Sequence, residues 1–279
     1  MTKTFLIPTA ALIAAGLAQA QQGTDPVIDA AREAAVAFTQ SLPNYIVKRT
    51  TTRYQMPQAL YRVVGQSFPV ACNAQILGTR VECNAPEWQK LDVVTADVVS
   101  ESGRETQLNL KVDGKPVQSP NHSGSWSVGE FVSVLQAALS LKSDAKFSNQ
   151  RSTALAGRSA WHYDYLIDQP HSSWHLRVDA SDYSPGYSGA IWIDKETSRV
   201  LRIDMAAHDM PTSFAMQNID SSLEYGFVKI GEGNYLLPAH SQTVICQRTP
   251  AVCSKNTTDF QNYKKYAADA VISFDDKTN

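Results

Sequence analysis

The sequence predicts an α+β domain in which a large, curved antiparallel sheet carries two amphipathic helices on one face. Three observations lead there. Runs of alternating apolar and polar residues, bounded by Gly, Pro, Ser and Asp, recur from residue 45 onward. Helical spacing appears in only two places, near 26–42 and 127–141. No repeat, low-complexity tract or Gly/Ser linker divides the chain, so a single domain is expected. Helices set apart from many consecutive strands suit an antiparallel sheet with one face covered. A sheet of that width must twist, and it can curl towards a barrel.

Residues 1–20 read as a secretory signal peptide. Lys3 supplies the positive end, Phe5 to Leu17 is almost wholly apolar, and Ala18-Gln19-Ala20 presents small residues for cleavage before Gln21. The apolar run is shorter than the ~20 residues that span a bilayer. The first cysteine is Cys72, so no lipid-anchoring thiol follows the cleavage point. Residues 21–279 then form the expected mature domain, periplasmic or secreted. Losing Lys3 takes the net charge from −2 to −3, and charges are mixed along the chain, which gives no footing for nucleic-acid binding. A hydrophobic content of 43% is that of a folded globule.

The first helix starts at a Thr24 or Asp25 cap with Pro26 in its first turn, and Leu42-Pro43 ends it. Ile28, Ala31, Ala35, Phe38 and Leu42 form one apolar stripe. Tyr45 to Tyr54, rich in Thr, is a strand. Residues 55–89 break the pattern and read as an excursion from the sheet. Leu91–Val99 and Glu105–Val112 make a hairpin around Ser102-Gly103. Ser127 to Glu130 has the S-x-x-E form of a capping box, followed by Phe131, Val132, Leu135, Ala138 and Leu139 on one helical face. Strands are then expected where Trp161, Tyr163, Tyr165 and Ile167 alternate with polar residues, and again at Trp174, Leu176 and Val178. Further hairpins follow, around Lys195-Glu196-Thr197 and around Gly231-Glu232-Gly233, with a last strand at Tyr266–Phe274.

The cysteines fall into two close pairs, Cys72 with Cys83 and Cys246 with Cys253. In an oxidising compartment this spacing favours two local disulfides, although four cysteines allow three connectivities. A zinc site would be the alternative, but no C-x-x-C occurs. Residues 55–89 would then be a disulfide-stapled insertion.

The order of elements resembles that of the periplasmic lipoprotein carriers and related lipid-binding exported proteins. The residues that carry the resemblance are Ala37-Phe38-Thr39-Gln40 at the end of the first helix, the Lys/Thr-rich strand after it, and the hairpin from Ala190 to Ile203 with its charged turn and Arg-containing return strand. Trp88 to Asp97 and Ile191 to Arg202 also resemble stretches in uncharacterised exported bacterial proteins. The carrier resemblance implies an unclosed β-barrel, a half-barrel with helices across its concave face and a hydrophobic cavity between. It implies a non-enzymatic binding or carrier protein for a hydrophobic small molecule, a lipid or a lipidated protein. The cysteine pairs and the 55–89 excursion depart from the carrier pattern, and no functional residue of the family is carried over.

Other chemistry is thinly supported. Ser125-Trp126-Ser127-Val128-Gly129 lacks the first Gly and the buried parallel strand of a nucleophile elbow, and Ser127 is explained by capping. His171 and His175 would lie roughly 13 Å apart on a strand, too far to share an ion. An enzyme on the same scaffold would place a polar cavity near His162, Asp164, His175 and Arg177. A structural or interaction module of the cell envelope would instead have no cavity. The aromatic residues suit core packing or the lining of a cavity. The cavity-lining candidates are Phe38, Phe131 and Leu135 on the helices and Trp161, Tyr163, Trp174 and Trp192 on the strands. No metal, cofactor or catalytic residue is expected. Terminal sequencing of the exported protein should begin at Gln21; a protein that retains Met1 outside the cytoplasm would contradict the leader.

Overall fold

The structure, a computed structural model, describes residues 25–57, 73–76, 79–82, 87–101, 104–118, 133–178, 180–207 and 210–266. Helix α1 (Pro26–Ser41) begins at Asp25, whose carboxylate accepts from the Val27 and Ile28 N–H groups at 2.9 and 3.4 Å. Those are two of the donors a helix start leaves unpaired. Leu42 is extended, as a residue before proline must be, and the helix stops there. Ile28, Ala31 and Phe38 are its buried side chains. Helix α2 (Ser133–Leu139) ends where Ser140 caps a 3-10 turn at Leu141–Ser143. The expected start of that helix, with Ser127, Glu130 and Phe131, lies outside the described residues.

The strands are β1 (Tyr45–Pro57), β2 (Asn73–Ile76), β3 (Thr79–Glu82), β4 (Gln89–Glu101), β5 (Arg104–Val112), β6 (Lys115–Pro116), β7 (Lys146–Leu155) and β8 (Arg158–Ile167). They continue as β9 (Leu176–Val178), β10 (Ser181–Tyr183), β11 (Tyr187–Asp194), β12 (Val200–Ala207), β13 (Met216–Ile230), β14 (Gly233–Gln247) and β15 (Val252–Lys265). Eleven of them form one curved, unclosed antiparallel sheet in the order β6-β5-β4-β1-β15-β14-β13-β12-β11-β8-β7. Strand β1 therefore sits inside the sheet, between β4 and β15. The β2–β3 and β9–β10 hairpins stand apart as two-stranded sheets. The first of these lies within the 55–89 excursion, with Asn73 opposite Glu82. Cys72 and Cys83 fall outside the described residues.

The strand expected at Tyr266–Phe274 falls, from residue 267 on, outside the described residues. Strand β15, Val252–Lys265, is not anticipated by the sequence. Its inward positions include Ser254 and Thr258, which are buried, so its buried face carries no apolar alternation to read. The strand expected around Trp174 is only the short β9, which pairs with β10 and not with the main sheet. Strand β15 is joined to β14 by the Cys246–Cys253 disulfide, which links residues directly opposite in register.

Packing divides along the sheet. One apolar cluster gathers Ile28 and Ala31 of α1, Leu135, Ala138 and Leu139 of α2, and residues of β8, β11, β12 and β13 such as Tyr163, Ile191, Ile203 and Leu223. A second joins Phe38 to Tyr45, Val47, Val98, Leu237 and Phe260. Within the first, Tyr165 donates to the Asp204 carbonyl at 2.8 Å across Gly189, where an added Cβ would stand 1.8 Å from that oxygen. Only glycine allows this crossing.

The β11–β12 turn is organised by Asp194, which is 1% exposed. Its Oδ1 accepts from the Glu196 N–H at 3.1 Å, the Thr197 N–H at 2.8 Å and the Thr197 hydroxyl at 2.9 Å, and Arg158 donates to both oxygens. Burial alone would raise its pKa; the Arg158 and Thr197 hydrogen bonds outweigh that and hold it at about 2. A depressed folded-state pKa stabilises above the unfolded value and is lost as pH falls through the folded one. Stability should therefore drop between about pH 4 and pH 2, and the Asp194→Asn variant, weaker at neutral pH, should lose less across that window. Denaturant melts at stepped pH measure it; parallel curves for the two proteins would contradict it.

Candidate functional site

A cavity of about 1560 Å3 lies between the helices and the sheet. Its roof is formed by Ala35, Val36 and Thr39 of α1 and by Val134, Leu135 and Leu139 of α2. The amphipathic spacing of α1 explains this: Ile28, Ala31 and Phe38 pack down, leaving the flank with Ala35 and Val36 beside open space. Val36 and Leu141 are 59% and 79% exposed and line the same space, so apolar side chains stand at its rim. One side is closed by Trp174, His175 and Leu176, in the segment leading into β9. The floor comes from β1, β15, β14, β13 and β12, including Thr51, Thr258, Thr243, Ile245, Ile219 and Met205.

The helices are tied down at two points. Tyr163 of β8 donates to the second carboxylate oxygen of the cap residue Asp25 at 2.8 Å. Burial, then the hydrogen bond and charge of Asp25, push the Tyr163 hydroxyl pKa up, so it stays a donor. Arg32 of α1 donates through Nε to the Leu139 carbonyl at the end of α2 at 3.1 Å and pairs with Asp29 at 2.9 Å. It thus satisfies one of the carbonyls that the end of α2 leaves open.

The expected lining residues are distributed unevenly. Leu135 and Trp174 line the cavity. Phe38 lines a neighbouring void of about 20 Å3, with Leu135, Tyr225 and Leu236, where α1 meets β13 and β14. Tyr163 is buried under α1 and serves as its anchor. Trp161 shares the Tyr163 side of β8 but lies near the strand's start, with the Lys195 ammonium 3.8 Å from its ring centre. Trp192 stands on the other side of the sheet, because it is one residue out of step with Ile191. There it meets the His162 ring at 4.6 Å and the Arg202 guanidinium at 5.2 Å. Phe131 lies outside the described residues.

The polar residues an enzyme reading would use separate likewise. His162 faces away from the cavity; burial, then Arg151, lower its pKa, and its Nδ1 is buried without a hydrogen-bond partner. Asp164 accompanies it at 3.8 Å. His175 and Arg177 do border the cavity, but bond to Ser184 at 2.7 Å and to Asp182 at 2.7 Å. Among the described residues, no three His, Cys, Asp or Glu side chains converge as a metal site would require. No helix there is long and apolar enough to cross a membrane.

The sequence reading missed the floor. Thr51, Ser221, Ser241, Thr243, Asn256 and Thr258 all face the cavity. The signal lay in the clusters Thr50-Thr51-Thr52, Ser241-Gln242-Thr243 and Asn256-Thr257-Thr258, which local reading takes for β-propensity alone.

No family model matches the chain, and no curated protein is significantly similar to it. Two solved structures align over most of their lengths. One is described as a "putative outer membrane lipoprotein-sorting protein domain" from Vibrio parahaemolyticus, with 11% identity over 86% of this chain and 92% of that one, at a TM-score of 0.38. The other is a DUF1329 family protein from Desulfovibrio piger, with 10% identity over 88% and 95%, at a TM-score of 0.37. Both scores are low, so the cavity and the helices above it, not these likenesses, support the functional reading.

Replacing Tyr163 by Phe should free the Asp25 carboxylate and loosen the start of α1 at a cost of about 1–2 kcal/mol. Hydrogen exchange at the α1 amides should quicken while β13 and β14 stay protected; unchanged exchange would show that Tyr163 does not anchor the helix.

Proposed function

We propose that this is an extracytoplasmic, non-enzymatic binding or carrier protein for a lipid-sized hydrophobic ligand, free or attached to a protein. The observation that carries the reading is the volume of the cavity, about 1560 Å3, beneath helices whose roof residues are mostly aliphatic. Ordinary small-molecule pockets occupy ~300–1,000 Å3. A space of this size suits one or more acyl chains better than a compact metabolite. Burying a chain there would release about 25 cal/mol for each Å2 of apolar surface taken from water.

The helices supply a means of entry. The described part of helix α2 is seven residues, and its described link to α1 includes the Arg32–Leu139 hydrogen bond. Val36 and Leu141 already present apolar surface at the opening. A lid of this kind lets a chain pass without disturbing the sheet. The leader expected at residues 1–20 and the Cys246–Cys253 disulfide would suit work in an oxidising compartment.

Native mass spectrometry of gently extracted protein should reveal copurifying acyl lipid. Ala137→Trp, which projects an indole into the roof, should reduce binding of a fluorescent acyl probe by about tenfold or more with the fold unchanged by circular dichroism. A wild-type protein that is always empty, and a variant that binds the probe equally well, would reject the carrier reading.

A further inference from the structure

The floor of the cavity is hydroxylated. By strand register, Thr51 of β1, Thr258 of β15 and Ser241 of β14 lie side by side. Thr243 of β14 and Ser221 of β13 stand in the next row, two residues along the strands. All of them line the cavity. Strand spacing and rise make this patch about 14 Å wide across the strands and about 7 Å along them, room for a glycerol or a sugar ring. Thr51, Ser241 and Thr258 are 7%, 5% and 4% exposed. Hydroxyls buried to that degree are costly unless the contents of the cavity complete their hydrogen bonds.

The balance of donors and acceptors limits what those contents can be. The Thr51 and Thr258 hydroxyls share a hydrogen bond of 2.9 Å, and those of Ser221 and Thr243 one of 3.1 Å. The Ser241 hydroxyl makes no hydrogen bond among the described residues. Each hydroxyl carries one proton and two lone pairs, and each shared bond spends one proton, so the patch keeps more open lone pairs than protons. Its occupant must donate as well as accept. A carboxylate or a fully ionised phosphate only accepts. An ammonium donates, but its charge finds no counterpart: Glu33, the one carboxylate among the described lining residues, is on α1 and not on the floor. Arg49 also lines the space and is already engaged within the protein, and its positive charge repels a cation. A hydrocarbon alone would strip the hydroxyls of hydrogen bonds and replace none.

We propose that the cavity takes an amphiphile with an uncharged polyol head, a glycerol or a sugar, seated on the hydroxyl patch. Each hydroxyl of such a head both donates and accepts, which is what the patch lacks. The hydrocarbon then lies against Ile219 and Ile245 beside the patch and Val134, Leu135 and Leu139 above it. This rests on the carrier reading and narrows it to one ligand class and one orientation.

The test is calorimetric titration of the full chain, below micelle-forming concentrations, with dodecyl glucoside, dodecanoate, dodecylammonium and free glucose. The glucoside should bind at least about tenfold more tightly than either ion. Glucose should bind at least about a hundredfold more weakly than the glucoside. Ser241→Ala removes one hydroxyl and strands no partner, so the fold is kept. It should weaken the glucoside about fivefold more than it weakens dodecanoate. Thr258→Val, nearly isosteric, should move that ratio in the same direction. Either ion binding as well as the glucoside, or a preference that survives both substitutions, overturns the polyol head and leaves the carrier reading standing. Glucose binding as tightly as its dodecyl derivative would mean a site for free sugar and overturns it too. Failure of all three chain-bearing ligands would remove the carrier reading and this inference together.

Discussion

The pairing of β1 with β15 holds the structure together. Strand β1 runs antiparallel to β15 from Tyr45 opposite Lys265 to Pro57 opposite Val252, and on its other edge it pairs with β4. Remove that seam and the eleven-stranded sheet becomes two: β6-β5-β4-β1 on one side, β15-β14-β13-β12-β11-β8-β7 on the other. The seam also builds the floor of the cavity, since Thr51 and Thr258 meet across it with their hydroxyls 2.9 Å apart. Next to it, Arg53 is only 2% exposed and is held by Asp92 of β4, with Nε 2.6 Å from the carboxylate. A bidentate pair of this kind fixes both direction and register at the point where the two halves join.

From that seam outward the helix-bearing face changes character. Towards β8, β11 and β12 it is aliphatic and aromatic, and α1 and α2 rest on it. Over the middle of β1, β14 and β15 it is hydroxylated, and the cavity lies over it, while Phe38 of α1 packs on the apolar end of the same strands. The helices pack where burial releases most free energy and leave the hydroxylated part free. The empty volume is thus a consequence of composition: side chains that gain little from packing against an apolar helix are those over which the space remains.

The sheet was legible in the sequence where its information is local. The alternation at Trp161–Ile167 and the charged turn at Lys195–Thr197 marked β8 and the β11–β12 hairpin, because each needs only its own residues or its immediate neighbour. The Asp25 cap and Pro43 bounded α1 for the same reason. Strand β15 was not legible: Asn256, Thr257, Thr258 and Asp259 carry no apolar period, and the strand exists because β1, some two hundred residues earlier, offers it an edge. The aromatic residues misled differently. Size and hydrophobicity mark Trp192 and Trp174 alike, yet one step of register sends the first to the far face. Which aromatic meets open space depends on tertiary placement, and the hydroxyl patch needed four strands in register before it was a patch at all.

The seam has a kinetic side as well. A chain made from its N-terminus presents β1 some two hundred residues before β15, so β1 and β4 must wait, with an unpaired edge, until that long stretch has emerged. Contacts this distant in sequence are slow to form, because the loop they close is long. Meanwhile the exposed edge invites pairing with other chains. Its Thr-Thr-Thr-Arg stretch, polar and charged where a core strand would be oily, keeps that waiting edge a poor template for aggregation.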